Sequence, residues 1–212
     1  MLSISRKSSN VIDNLYWLRQ SYNDGIPADC KGIYYQELNK LVAYSKRLIN
    51  DIIKTAPNGI SLPMDTDLIV NYLSGYTISY QGFNGFLETR DGYWELDEET
   101  GEITIFYDIA TPLKRQRFTK IHETMHFIQS LDVGFQNYFD ELLCNSTLPP
   151  EVVLKLFEKS TDKATAMYLM PQDYFIKKFK EVKSISVLAD EFQVSEQSAS
   201  YRLKECGITI TI

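Results

Sequence analysis

Residues 117–129, RFTKIHETMHFIQ, hold both histidines of this 212-residue chain. His122 and His126 are four apart. In an α-helix residues i and i+4 stack on one face, so the two imidazoles point the same way and can hold one metal ion between them. Glu123 sits one residue round from the first histidine. There it can stand beside a metal-activated water without being a ligand, which suits a general base. Two histidines placed at random would show this spacing and this glutamate on the order of once in a thousand chains, so chance is a weak explanation.

The flanking residues support a helix. Thr111 before Pro112 reads as an N-cap followed by proline at the first helical position, and Phe118, Ile121, Met125 and Ile128 recur at intervals of three and four. A second row, Thr119, His122, His126 and Gln129, runs beside that apolar ridge.

A catalytic zinc takes three protein ligands and leaves a position for water. No histidine remains, and the Gly and third His of the metzincin extension are missing after His126, so a downstream carboxylate is expected. Asp132, Asp140, Glu141, Glu151, Glu158 and Asp162 are the candidates, with Asp132 too close along the chain to turn back. Residues 150–170, PEVVLKLFEKSTDKATAMYLM, predict a second helix with Pro150 near its start and Pro171 past its end. Glu158 and Asp162 share one face of it, so one can ligate while the other accepts an imidazole N–H. Two His and a carboxylate suit zinc better than iron or manganese.

The rest of the chain supplies a frame. Residues 34–55 carry Leu38, Leu41, Val42, Tyr44, Leu48, Ile52 and Ile53 at helical spacing, with a break at Pro57-Asn58-Gly59. Asp65 or Thr66 can cap a short helix ended by Gly75. Residues 77–108 are rich in Tyr, Phe, Ile and Thr and punctuated by Gly, which predicts a small antiparallel sheet with a hairpin at 98–102. Within it the strand Glu102–Tyr107, just before the motif helix, could rim a cleft and pair with an extended substrate.

Net charge of -6 and a pI near 5.0 argue against non-specific binding to nucleic acid or an anionic membrane. No apolar leader or membrane-length run is seen, and Cys30, Cys144 and Cys206 have no CxxC pairing, so a cytoplasmic protein with reduced cysteines is expected.

RFTKIHETMHFIQ followed by FEKSTDKATAMYLMP resembles the ImmA/IrrE-type metallopeptidases, whose text runs RFT, HExxH, then a helix bearing a ligand Glu and ending in LLMP. Aligned on Leu169-Met170-Pro171, the resemblance puts Glu158 at the ligand glutamate and Asp162 where Asn is common. It extends to LADEFQVSEQSASYRLKECGI, similar to the LAxxFxVSxxAxxxRLxxLG ending of many members, and covers roughly residues 65–207.

The resemblance implies an α+β, zincin-like fold of gluzincin type, with the HExxH helix in the core, a small antiparallel sheet packed on helices and a helix-turn-helix-like C-terminal segment. The expected organisation is an N-terminal helical extension over 1–60, a catalytic domain over 61–175 and a C-terminal helical segment over 176–212, or one compact unit. It further implies one Zn2+ per chain on His122, His126 and Glu158, Glu123 as the base, and cleavage of a regulatory protein, typically a helix-turn-helix repressor, in mobile-element or stress responses. Tyr138, Tyr168 and Tyr174 are candidate oxyanion donors.

The rival readings are a DNA-binding regulator or a toxin/antitoxin-type interaction protein with a non-catalytic zinc site. Ser186–Glu191 and Ser195–Lys204 have a helix-turn-helix outline, but SEQSASYRLK offers only Arg202 and Lys204 against Glu196, which favours packing or substrate docking over direct DNA contact. Lys177, Lys178, Lys180 and Lys183 form the one basic run and read as a solvated helix face.

Overall fold

The structure, a computed structural model, describes residues 25–56, 59–64, 66–84 and 92–208. Asp65, Pro57 and Asn58, the first 24 residues and the 85–91 part of the sheet segment lie outside them.

The first helix among the described residues, α1, spans Lys31–Lys54 and buries Leu38, Leu41, Ser45, Leu48 and Ile52, a stripe at intervals of three and four. Thr55 ends it, its hydroxyl donating to the Ile52 carbonyl at 2.6 Å. The short α2, Asp67–Tyr72, follows Thr66, whose side chain makes no capping bond. Gly75, at φ +98°, turns the chain into the sheet.

Three strands follow: β1 Thr77–Phe83, β2 Gly92–Asp97 and β3 Glu102–Asp108. β2 and β3 form the expected hairpin. Asp97 Oδ1 accepts from the backbone N–H of Glu99 at 2.9 Å and of Thr100 at 3.2 Å, and Gly101 supplies the left-handed position, φ +71°. The sheet is not wholly antiparallel. Its order is β1-β3-β2, and β1 runs parallel to β3, with Thr77 opposite Glu102. The apolar pattern that suggests strands fixes which face is buried and not the strand direction, and β1 joins β3 only after the chain has passed through β2.

β3 is therefore the central strand, with both its edges paired, so it cannot take up an extended substrate as the sequence suggests. Ile103 and Ile105 of β3 are fully buried against the helices.

The motif helix α3 spans Leu113–Leu131. It starts one residue later than Thr111-Pro112 suggests: Pro112 occupies the N-cap, and the Thr111 hydroxyl donates to Asp108 O at 2.8 Å. From Thr119 to Gln129 it is buried almost all round. Ile121, Met125 and Ile128 face the core, and Phe127, on another side, meets Tyr76 and Trp94 edge-on.

No element is expected from sequence over residues 133–145, yet they form α4, Val133–Asn145. Asp132 caps it by accepting from Phe135 N at 2.8 Å. α5, Pro150–Leu169, packs against both α1 and α3. Beyond Pro171 come α6, Gln172–Val182, α7, Ile185–Glu191, and α8, Glu196–Glu205. Ser184 and Ser195 cap the last two through their hydroxyl oxygens.

Two apolar clusters result. One joins α1, α4 and the first half of α5. The larger gathers the end of α1, the sheet, α3, the end of α5 and residues of α6, α7 and α8, among them Phe175, Leu188, Phe192 and Leu203. Among the described residues no helix is long and apolar enough to cross a membrane.

Arg117, in the first half of α3, ties distant segments together. Its guanidinium donates to Met64 O before α2, and to Phe192 O at 3.0 Å and Gln193 O at 3.3 Å in the α7–α8 turn. Losing these charged donors leaves partly buried carbonyls unmatched. Arg117→Ala is expected to lower the unfolding free energy by about 2 kcal/mol in urea titration.

Candidate metal centre

His122 and His126 occupy successive turns of α3, and Glu158 faces them from α5. Their ligand atoms converge. The two Nε2 atoms are 2.9 Å apart, and Glu158 Oε2 stands 3.4 Å from each. Ligands about 2.1 Å from a tetrahedral ion are separated from one another by about 3.4 Å, so this triangle has nearly the size that zinc needs. Its corners are largely withdrawn from solvent, at 12 %, 7 % and 9 % side-chain exposure. The three form a group of metal-ligating residues whose donor atoms lie within 4.8 Å of one another.

Each imidazole has a neighbour at its far nitrogen. Asp162 Oδ1 lies 3.4 Å from His122 Nδ1, near enough for an ion pair but outside hydrogen-bonding geometry. Thr161 Oγ1 lies 3.3 Å from His126 Nδ1. Asp162 thus stands behind the histidine rather than in the ligand triangle, and Lys159 Nζ is 3.4 Å from its other oxygen. The Phe157 ring packs against His126, its centroid 5.0 Å away.

Of the other carboxylate candidates, Asp132 is the α4 cap, and Asp140, Glu141 and Glu151 are exposed.

The neighbouring carboxylates act directly on the His122 imidazole. Burial disfavours charged His122, but Asp162 and Glu158, joined by Glu123, outweigh it and raise the imidazole pKa to about 10. Asp162 moves the opposite way: burial raises its pKa, but His122 and Lys159 outweigh that and lower it overall. The carboxylate oxygen of Glu158 that favours a charged imidazole is also the one that completes the donor triangle with the two Nε2 atoms.

Glu123 is buried one turn position from the ligands, at the N-terminal end of β2. A Cβ on Gly92 would fall 2.5 Å from Thr119 Cγ2, 2.6 Å from the Phe106 carbonyl and 3.2 Å from Glu123 Cγ. Glycine at 92 is what lets the strand lie against the helix at this point.

The three candidate tyrosines are dispersed. Tyr138 turns its hydroxyl to the Glu37 carboxylate and is spent there, Tyr168 is fully buried in the larger apolar cluster, and Tyr174 is exposed on α6. Residue spacing could not reveal this, because the direction of each hydroxyl depends on α1 and α6. Tyr34 of α1 is buried, its phenol pushed up to about 12 by burial, by Tyr35 and by Asp162.

Also missed from sequence are Thr161, Gly92 and Phe157. Thr161 follows Glu158 by three, on the same helix face, and that spacing was the available signal.

Two outcomes are expected. Gly92→Ala must push β2 or Glu123 aside, and is expected to cost about 1–3 kcal/mol in unfolding free energy by urea titration. In chelator-treated protein, the folded His122 pKa of about 10 exceeds the ordinary 6.5, so its stabilisation is fully present below pH 6.5 and is lost as pH rises through about 10. Urea midpoints should fall over that window, and fall less in Asp162→Asn.

Comparisons with known proteins bear on the fold and the family. No curated protein matches the chain. A solved structure described as a Mycobacterium tuberculosis transcriptional regulator is similar to it with a TM-score of 0.55 at 12% identity, the match covering 83% of this chain and 51% of that one. The chain thus spans about half the length of that regulator, and the likeness speaks for the fold alone. The model of the peptidase M78 family, described as the IrrE N-terminal-like domain, matches residues 74–204. That is more than half of the chain and contains every residue of the ligand triangle, so this protein belongs to the peptidase M78 family.

Proposed function

We propose that this protein is a zinc-dependent peptidase that cleaves a regulatory protein, a helix-turn-helix repressor being the substrate class the family resemblance favours. The observation that carries the reading is the buried triangle of His122 Nε2, His126 Nε2 and Glu158 Oε2 with Glu123 beside it. Those three atoms would hold one ion per chain. Zinc bound there supplies Lewis-acid activation of water and of the scissile carbonyl.

The remaining work falls to this chain's side chains. Glu123 accepts the proton of the attacking water as its oxygen bonds to the carbonyl carbon. It then returns that proton to the amide nitrogen as the C–N bond breaks. Gly92 leaves the space in which the Glu123 carboxylate can make both transfers. Phe157 screens the His126 ring from solvent, which strengthens the electrostatics inside.

With β3 paired on both sides, the edge of β2, which begins at Gly92 beside Glu123, is where an extended substrate could add. The scattered cysteines suit a reducing cytoplasm.

The rival, a DNA-reading regulator, gains little from α8. Arg202 is buried, donates to Met170 O at 3.1 Å and pairs with Glu205 at 3.2 Å, so the groove would meet few basic groups.

Glu123→Gln separates the readings. It should bind zinc as the wild type does while repressor cleavage, followed by mass spectrometry, drops by at least a hundredfold. Cleavage that survives the substitution would sink the peptidase mechanism. Metal analysis should find zinc lost in Glu158→Ala and largely kept in Asp162→Ala; the reverse pattern would exchange their roles.

A further inference from the structure

Behind His126 a chain of buried polar groups leads away from the ligand triangle to α1. Thr161 Oγ1 is 3.3 Å from His126 Nδ1 and 2.7 Å from Gln129 Oε1. Gln129 Nε2 donates to Ser45 Oγ at 3.2 Å, and Ser45 donates to the Leu41 carbonyl at 3.0 Å. Gln129 and Thr161 are fully buried and Ser45 is 1 % exposed. Three helices, α3, α5 and α1, each contribute a member.

The direction of this chain is set at α1. Ser45 has one proton and places it on Leu41 O, as a serine in a helix can toward the carbonyl four residues back. Toward Gln129 it can therefore only accept, which requires the amide to present Nε2 to it and Oε1 to Thr161. Thr161 also has one proton, and its shortest contact, Gln129 Oε1 at 2.7 Å, takes it in preference to Phe157 O at 3.2 Å. Toward His126 the threonine is then an acceptor. The Nδ1 of that imidazole must carry the hydrogen, leaving the Nε2 lone pair free to point at His122 Nε2 and Glu158.

We propose that Ser45, Gln129 and Thr161 are positioning residues that fix the tautomer and ring orientation of His126, so that α1, outside the matched residues 74–204, helps to prepare the metal centre. The inference rests on the reading of His126 as a ligand, but not on catalysis. Neutral imidazole in water favours neither nitrogen strongly enough to guarantee a free Nε2. A buried acceptor at Nδ1 removes the alternative, and outer partners of this kind typically carry a 10–100-fold effect on metal affinity.

The test has two arms on the full chain. In the first, 15N NMR of the histidine side chains of metal-free wild type, in mildly alkaline buffer, should show His126 protonated at Nδ1 and bare at Nε2. In Ser45→Ala and Thr161→Val that signature should give way to a mixture. In the second arm, zinc affinity is measured by competition with a chromophoric chelator. Thr161→Val should weaken it by about 10–100-fold, Ser45→Ala should weaken it less, and Thr161→Ser, which keeps the hydroxyl, should restore it.

A His126 protonated at Nε2 in the wild type would overturn the proposal, as would unchanged zinc affinity in Thr161→Val. Wild type that binds no zinc would overturn the proposal together with the peptidase reading, whatever the tautomer. Wild type that binds zinc without cleaving any repressor would refute the peptidase reading alone and leave both arms intact.

Discussion

Two imidazoles and a carboxylate brought within 3.4 Å of one another, and withdrawn from water, are costly to assemble in an apolar interior. The fold is arranged around meeting that cost. α3 and α5 cross where His122, His126 and Glu158 face one another, α1 closes the far side, and the sheet shields Glu123. The far nitrogen of each histidine has a polar or charged neighbour: Thr161, backed by Gln129, behind one and Asp162 behind the other. Metal attraction and structural satisfaction come from the same carboxylates.

The motif helix shows what a linear pattern can and cannot carry. His122, Glu123 and His126 were legible because helical spacing turns a sequence interval into a direction, and nothing further along the chain changes it. Glu158 and Asp162 were both legible as a pair on one face, but which of them enters the triangle depends on the rotation of α5 against α3, a tertiary quantity; family resemblance resolved it where spacing could not. The sheet was readable as strands but not as a mixed one, since alternation is blind to chain direction. α4 escaped notice because Val133 and Gly134 make a weak start, and its cap, Asp132, drew attention as a possible ligand instead.

The C-terminal helices have the outline of a DNA-reading unit and the chemistry of a packing one. Leu188, Phe192, Val194 and Leu203 enter the larger apolar cluster, and Arg202, the strongest basic group of α8, faces inward onto the end of α5. Sequence spacing displayed the two helices and the Ser195 cap of the second, because caps and apolar intervals are local, while the cap of the first fell at Ser184, outside the expected Ser186 start. It could not display the inward turn of an arginine, which depends on a carbonyl thirty-odd residues upstream.

The Arg117 staple bears on the order in which the molecule can mature. All three candidate ligand residues have been synthesised once α5 has been made, yet two of the carbonyls that anchor the motif helix belong to Phe192 and Gln193, synthesised later. A nascent chain therefore carries the full ligand set before it carries the anchor that holds α3 in register. What holds the candidate centre in place is therefore made after the centre's own residues.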